Sequence, residues 1–315
     1  MELLVKQFRG RFVDDNQLPM TVVEDPYFDE RIKMLEGEFH AQLKYLLLME
    51  TVRDKFDGNM QKFLEHRHSV KDQILSHILN SEGYKAMLAD KSPLEDCKLV
   101  VGANELYTEQ QDGGLFLSFD MIKANFQALR YVDPSIVFDC DTWEEFVARF
   151  SDVEYLASAK QVRQEVLGKL NGKRLAAIEK YHSNEFAKKL RECYGDWLTP
   201  FSIKTDEIIL KFKGSEKEFE RLNVKNEEFN GFKFRANKFK LNMRTFKRAF
   251  SDKRINIFEK EDFLDGHRRN LKCVPATYYP QVYKLLNGME ISDSDLVFSS
   301  DHELCKYMKP LELVK

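Results

Sequence analysis

Between Arg31 and about Phe56, apolar residues recur at helical spacing. Ile32, Leu35, Phe39, Leu43, Leu46 and Leu47 fall on one stripe, and Asp57, Gly58 and Asn59 close it. A second stripe of Phe63, Leu64, Val70, Ile74, Leu75 and Ile78 predicts a helix from about Met60 to Leu79, broken by the run from Asn80 to Gly83. His66 and His68 on that helix stand two residues apart and share no face, so they read as surface residues rather than as ligands. Residues 1–30 show no sustained period. They read as irregular chain or short strand up to Asp25 and Pro26. The first quarter is therefore expected to be a helical subdomain.

The pattern changes near Pro93. Lys98 to Gly102 reads as a short strand, and a turn from Gln110 to Gly114 feeds a second strand, Leu115 to Phe119, which ends at Asp120. Helical periods follow at Met121 to Tyr131, at Thr142 to Phe150 with capping-box spacing between Thr142 and Glu145, at Glu154 to Gly168, and at Ala176 to Cys193. Two β-prone runs, Phe201 to Ile203 and Ile208 to Phe212, flank Lys204 to Glu207 and predict a hairpin with two adjacent acids at its tip. Further on, Phe232 and Phe234 alternate with Lys233 and Arg235, so this strand has one apolar and one cationic face. A helix near Tyr279 to Leu286, a turn at Asn287 and Gly288, a short strand from Leu296 to Phe298 and a last helix ending at Pro310 complete the pattern.

Charge sharpens this picture locally rather than globally. Charged residues make up 32% of the 315-residue chain but the net charge is only −3, so the whole molecule is not a polycation suited to nucleic acid. Residues 225–254, however, hold ten Lys or Arg against three acids, interleaved with phenylalanines. The five cysteines are scattered, with no closely spaced pair. That argues against a disulfide framework or zinc ribbon and for a reducing compartment. The longest apolar run, Tyr45 to Met49, is too short to span a bilayer, and the N-terminus lacks the layout of a secretory leader. A soluble, intracellular protein with no membrane partner is expected.

Three pieces carry candidate chemistry, in chain order. A strand delivers Asp120 at its end, directly before a helix. A cation-rich helix holds Lys160, Arg163 and Lys169. The hairpin presents Asp206 and Glu207. Acids from two separate elements can share divalent cations, and cations on a facing helix can grip a triphosphate.

These segments resemble the three motifs of palm-type nucleic acid polymerases, most closely those of family A DNA polymerases. The family's D-Y-S-Q-I-E-L-R-x-L corresponds to residues 120–129, which keep the acid and Leu129 but have Asn125 for the Glu and Gln127 for the Arg. Its K-x-x-x-F-G-x-x-Y-G corresponds to residues 163–172, which keep a cation at Arg163 and glycines at Gly168 and Gly172. Leu167 replaces the aromatic and Asn171 the tyrosine. Its H-D-E-L-V corresponds to Thr205–Ile209, which keeps both acids and loses the histidine. Together the motifs cover about residues 115–212. The interval between the second and third is closer to that of family B polymerases or reverse transcriptases, and Thr205-Asp206 also satisfies the T-D of family B.

The resemblance implies an α+β fold: a palm-like antiparallel sheet at 96–225 with a short helical fingers insertion at about 141–200, a helical, thumb-like N-terminal subdomain at 1–95 and a basic C-terminal subdomain at 226–315. It implies Mg²⁺-dependent (or Mn²⁺-dependent) nucleotidyl transfer to a nucleic acid 3′ end by two ions, and template-directed DNA synthesis as the first expectation. Asp120 and Asp206 would be the metal ligands and, with Glu207, the catalytic acids. Lys160, Arg163, Lys169, Asn125, Leu167 and Asn171 would meet the nucleotide. Lys233, Arg235, Lys238, Lys240 and Arg244 would track the DNA primer-template or single strand, while dNTPs, RNA and accessory replication proteins are the other expected partners. Two rival readings are a template-independent or RNA-using transferase, and an inactive palm that serves as a nucleic-acid-binding or assembly subunit.

Overall fold

The computed structural model describes residues 2–21, 24–90, 100–170, 172–248, 253–301 and 303–314. Asn171, the expected boundary at Pro93 and the start of the strand expected from Lys98 lie outside them. Among the described residues six helices come first: α1 (Glu2–Asp15), α2 (Tyr27–Met34), α3 (Glu36–Phe39), α4 (Ala41–Phe56), α5 (Met60–Asn80) and α6 (Glu82–Ala89). The first corrects the expectation of irregular chain. Phe8 and Phe12, one turn apart, are both fully buried, and such packing holds a helix whose sequence shows little amphipathic period.

The single helix expected over 31–56 is also broken. The chain turns at Leu35 and again at His40, which takes left-handed backbone angles (φ 52). The turns rotate the stripe. Ile32 and Leu35 stay buried, but Leu43, Leu46 and Leu47 are half exposed, and Ala41, Leu48 and Val52 face inward instead. Helix α5 follows its pattern, with Phe63, Val70, Ile74 and Ile78 buried and the Asn59 side chain capping the Lys62 N–H. Its inner face also hides Arg67, whose guanidinium meets Asp15 at 2.5 Å and Glu165 at 3.1 Å.

The rest of the chain is built on an antiparallel sheet. In order it runs β1 (Leu115–Met121), α7 (Ala124–Val132), α8 (Trp143–Val147), α9 (Glu154–Ser158), α10 (Lys160–Leu167), α11 (Gly172–Tyr194), β2 (Leu198–Ile203), β3 (Glu207–Phe212), α12 (Glu216–Arg221), β4 (Glu227–Phe229), β5 (Phe232–Lys247), β6 (Arg254–Asp262), β7 (Arg268–Lys272), α13 (Tyr279–Leu286), β8 (Val297–Ser300), β9 (Glu303–Lys306) and β10 (Glu312–Leu313). The main sheet has the order β2-β3-β1-β5-β6-β7, with β4 and β10 also pairing to β5, while β8 and β9 form a separate hairpin. Three expectations change. Val100 to Gly102 is not strand. The helix expected over 154–168 divides at Ala159. The last helix is replaced by β9 and a loop.

Why β1 is apolar at every position through Phe119 except Ser118 follows from what covers it. Leu115, Leu117 and Phe119 join the main core, which also takes in Phe186 of α11 and Phe232 and Phe234 of β5. Phe116 points the other way, into a smaller core with Ile209, Phe239, Leu241 and Phe258. Towards the end of β1 that second face turns polar, through Ser118 to Asp120. Strand β5 pairs with the whole of β1, so the sheet runs across the boundary expected at residue 225. The main core is continuous in membership from Phe8 to Tyr279. No helix among the described residues is long and apolar enough to cross a membrane.

Candidate active site

Strand register makes the site. Asp120 stands opposite Glu207 on β3 and opposite Arg235 on β5, so these three residues form one row across the sheet. The Arg235 guanidinium reaches the Asp120 carboxylate at 3.2 Å. Asp206 occupies the tip between β2 and β3, and this tip is tied down on two sides. Its own carbonyl accepts the Met121 N–H at 2.8 Å, and the Thr205 carbonyl accepts the Ser183 hydroxyl of α11 at 3.1 Å. The two acids separated by 86 positions in sequence are thereby brought to one end of the sheet.

A cleft of about 420 Å³ opens there. Asp120, Asn125, Asp206 and Arg235 line one part of it, and Lys160 and Arg163 of α10 line another. Neither Lys160 nor Arg163 makes a hydrogen bond or ion pair with any described residue. Burial pushes the Asp206 carboxyl above its ordinary value, and the nearby Asp120 charge adds to the shift. In the same lining, burial and then the neighbouring Arg163 lower the Lys160 ammonium, while Asp120 and Asp206 pull it back up. The cleft thus brings two carboxylates, one of them paired with Arg235, together with the cations of α10.

The cationic wall is fixed from behind. Glu165 on α10 accepts bonds from Arg67 and Lys71 of α5 and from Arg11 of α1. Burial works against its ionisation, but the bonds from Arg67 and Lys71 outweigh this and hold its carboxyl at about 2. Helix α10 is therefore anchored through Glu165, two residues beyond Arg163.

Other sequence-predicted site residues fall elsewhere. Glu207 neighbours Asp120 but does not line the cleft. Burial raises its carboxyl, and Lys260 is the largest charge acting on it. Leu167 is 2% exposed and packed in the main core, so it offers no surface to a base. Lys169 is exposed and outside the cleft lining. Of the basic strand, Arg235 lines the cleft and Lys233 is exposed close by.

The remaining three basic positions lie outside the cleft lining. Lys238 is buried and donates to the carbonyls of Glu220 and Leu222 at the end of α12, both at 2.9 Å. Lys240, level with Leu115 at the far end of β1 from Asp120, pairs with Glu216 at 2.7 Å, and Arg244 pairs with the buried Glu259 at 2.6 Å. Each of the three is engaged by another part of the protein. Charge density in sequence did not separate them from Arg235, because register decides which end of the sheet each one reaches.

One residue was not anticipated. Glu179 on α11 lies one turn before Ser183 and is 4% exposed, and its Oε1 has no hydrogen-bond partner among the described residues. Burial, with the Asp206 charge second, raises its carboxyl to about 8. A signal existed in the sequence. Glu179, His182, Ser183 and Asn184 interrupt the apolar stripe of a long helix, and all four are buried.

The donor set bears on a metal. Among the described residues no group of three or more His, Cys, Asp or Glu is placed to hold an ion. The Asp120 and Asp206 pair suits a different case: Mg²⁺ takes one or two protein carboxylates and completes its octahedron with waters and substrate phosphates. The Asp206 carboxyl is raised by burial first and by the Asp120 charge second, and a bound cation would act against both. Comparison with protein-family models, curated proteins and solved structures returned no match.

Proposed function

We propose that this protein is a divalent-metal-dependent nucleotidyltransferase with a palm-like sheet, extending a nucleic acid 3′ end and using a template to do so. The observation that carries this reading is the presence, in one cleft lining, of Asp120 and Asp206 with Lys160 and Arg163, two cations without a hydrogen-bond or ion-pair partner among the described residues. The three-motif resemblance of residues 115–212 rests on the same Asp120, Arg163 and Asp206 and gives the order in which they occur.

In this reading Asp120 and Asp206 would hold the metal, which when bound would supply charge neutralisation at the triphosphate and acidify the primer hydroxyl. Lys160 and Arg163 grip the β- and γ-phosphates and orient the α-phosphorus in line with the attacking oxygen. A bond forms from the 3′ oxygen to the α-phosphorus as the bond to the β-phosphate oxygen breaks. The hydroxyl proton goes to solvent and pyrophosphate leaves. Asn125, exposed in the cleft lining where the resembled motif has Glu, would meet the sugar in this reading.

Primer-template, dNTPs and Mg²⁺ test the proposal, with single-stranded primer and NTPs as parallel arms. Elongation only with template and dNTPs is the expected result. A second reading has its own observation: Arg235 occupies the Asp120 carboxylate, as it would in a palm retained for binding. Salt-sensitive binding without incorporation under Mg²⁺ or Mn²⁺ would favour that reading.

A further inference from the structure

Arg235 meets Asp120 through strand pairing. The two stand opposite each other on β5 and β1, and paired residues of an antiparallel ladder point to the same face. The contact itself is slight. One guanidinium nitrogen, Nη2, donates to one carboxylate oxygen at 3.2 Å, and the other side-chain N–H groups of Arg235 have no acceptor among the described residues. The two side chains are 59% and 37% exposed. Arg67 shows the opposite case: two of its nitrogens hold both oxygens of Asp15, at exposures of 4% and 0%. Water and salt compete for the first pair and are shut out of the second.

The surroundings offer the Arg235 guanidinium a second use. It shares the cleft lining with Lys160 and Arg163, and its charge is one of those that disfavour the Lys160 ammonium. Lys123, also in the lining, is held by Glu144. A guanidinium carries donors only, and its planar fork fits a phosphate as well as a carboxylate. Freed from Asp120, Arg235 would join Lys160 and Arg163 as a third cation open to an anion.

We propose that Arg235 is an exchange residue. It holds Asp120 while the protein is free of metal, and it passes to a phosphate of the substrate when Asp120 turns to a divalent cation. Metal and polyanion then bind cooperatively, since each frees the group that the other needs. The exchange rests on the reading of Asp120 and Asp206 as metal ligands, and the phosphate belongs either to a nucleic acid strand or to a nucleoside triphosphate.

Arg235→Gln tests it in two titrations. Mn²⁺ binding, followed by electron paramagnetic resonance without polyanion, should be about two- to fivefold tighter in the variant, as release from an exposed ion pair allows. The gain should exceed that in Lys160→Gln, which removes a cation of the same lining that holds no carboxylate. Binding of a fluorescein-labelled single-stranded DNA and of a fluorescent dATP analogue is then measured in EDTA and in Mg²⁺. Arg235→Gln should weaken it about tenfold in Mg²⁺, as loss of one charge-assisted bond does, and less than about twofold in EDTA, where Arg235 is already engaged. Lys160→Gln should weaken it in both. An effect on the DNA probe identifies a strand phosphate, and an effect on the dATP analogue a triphosphate. Equal weakening in EDTA and Mg²⁺ would make Arg235 a permanent anion ligand, and none in either would make it a brace between strands. Both results overturn the exchange, as does a Mn²⁺ affinity that is unchanged or matched by Lys160→Gln. Wild-type Mn²⁺ binding that is absent, or that survives Asp120→Ala and Asp206→Ala, would overturn the metal reading itself and the exchange with it.

Discussion

Glu179→Gln isolates the acid buried behind the hairpin tip. The carboxyl moves from an ordinary 4.5 to about 8 on folding, through burial first and Asp206 second. Between those values the folded protein keeps a proton that the unfolded chain has lost. Stability attributable to Glu179 is therefore fully present below pH 4.5 and falls by about 1.4 kcal/mol per pH unit as pH rises towards 8. Glutamine resembles the protonated form in size and carries no charge, so the variant escapes this loss. The two proteins should be nearly equal in stability at pH 4.5 and differ by up to about 4 kcal/mol at pH 7.5, the variant being the more stable. Urea unfolding at several pH values in EDTA measures it. A difference that stays constant across pH, or a variant less stable at pH 7.5, would refute the reasoning.

Other substitutions separate structural from functional charge. Arg67→Ala leaves Asp15 buried without its partner and weakens the anchor of α10, so it should cost about 3–5 kcal/mol in urea unfolding. Lys238→Met removes two bonds from a charged donor and should cost about 1–3 kcal/mol, while nucleic acid affinity measured by filter binding stays at the wild-type level. Lys160→Ala and Arg163→Ala should each raise the nucleotide KM about tenfold or more with little change in unfolding midpoint, since neither has a partner among the described residues.

How much of this was legible in the sequence depends on where the information sits. The strand that carries Asp120 and the hairpin carrying Asp206 are local patterns, and both form where the β-prone runs place them. Their meeting is not local. It follows from β1 pairing with β3, which the sequence suggests only through motif order. The basic segment shows the limit: Arg235 and Lys238 are three residues apart, yet one lines the cleft and the other caps α12, because they sit on opposite faces of β5. Leu43, Leu46 and Leu47 were misread because a left-handed residue at His40 resets the helical phase, and no periodicity reveals such a break. Glu179 escaped because a single acid on a helix looks solvated until its neighbours are known.

The central claim is that Asp120 and Asp206 together support metal-dependent transfer at a 3′ end. Labelled dNTP incorporation and pyrophosphate release, followed with Mg²⁺ for the wild type, Asp120→Ala and Asp206→Ala, address it most directly. Both signals should appear in equal amounts for the wild type, vanish with EDTA, and fall to background in either variant while the variants stay folded. Extension that survives both substitutions would contradict the account.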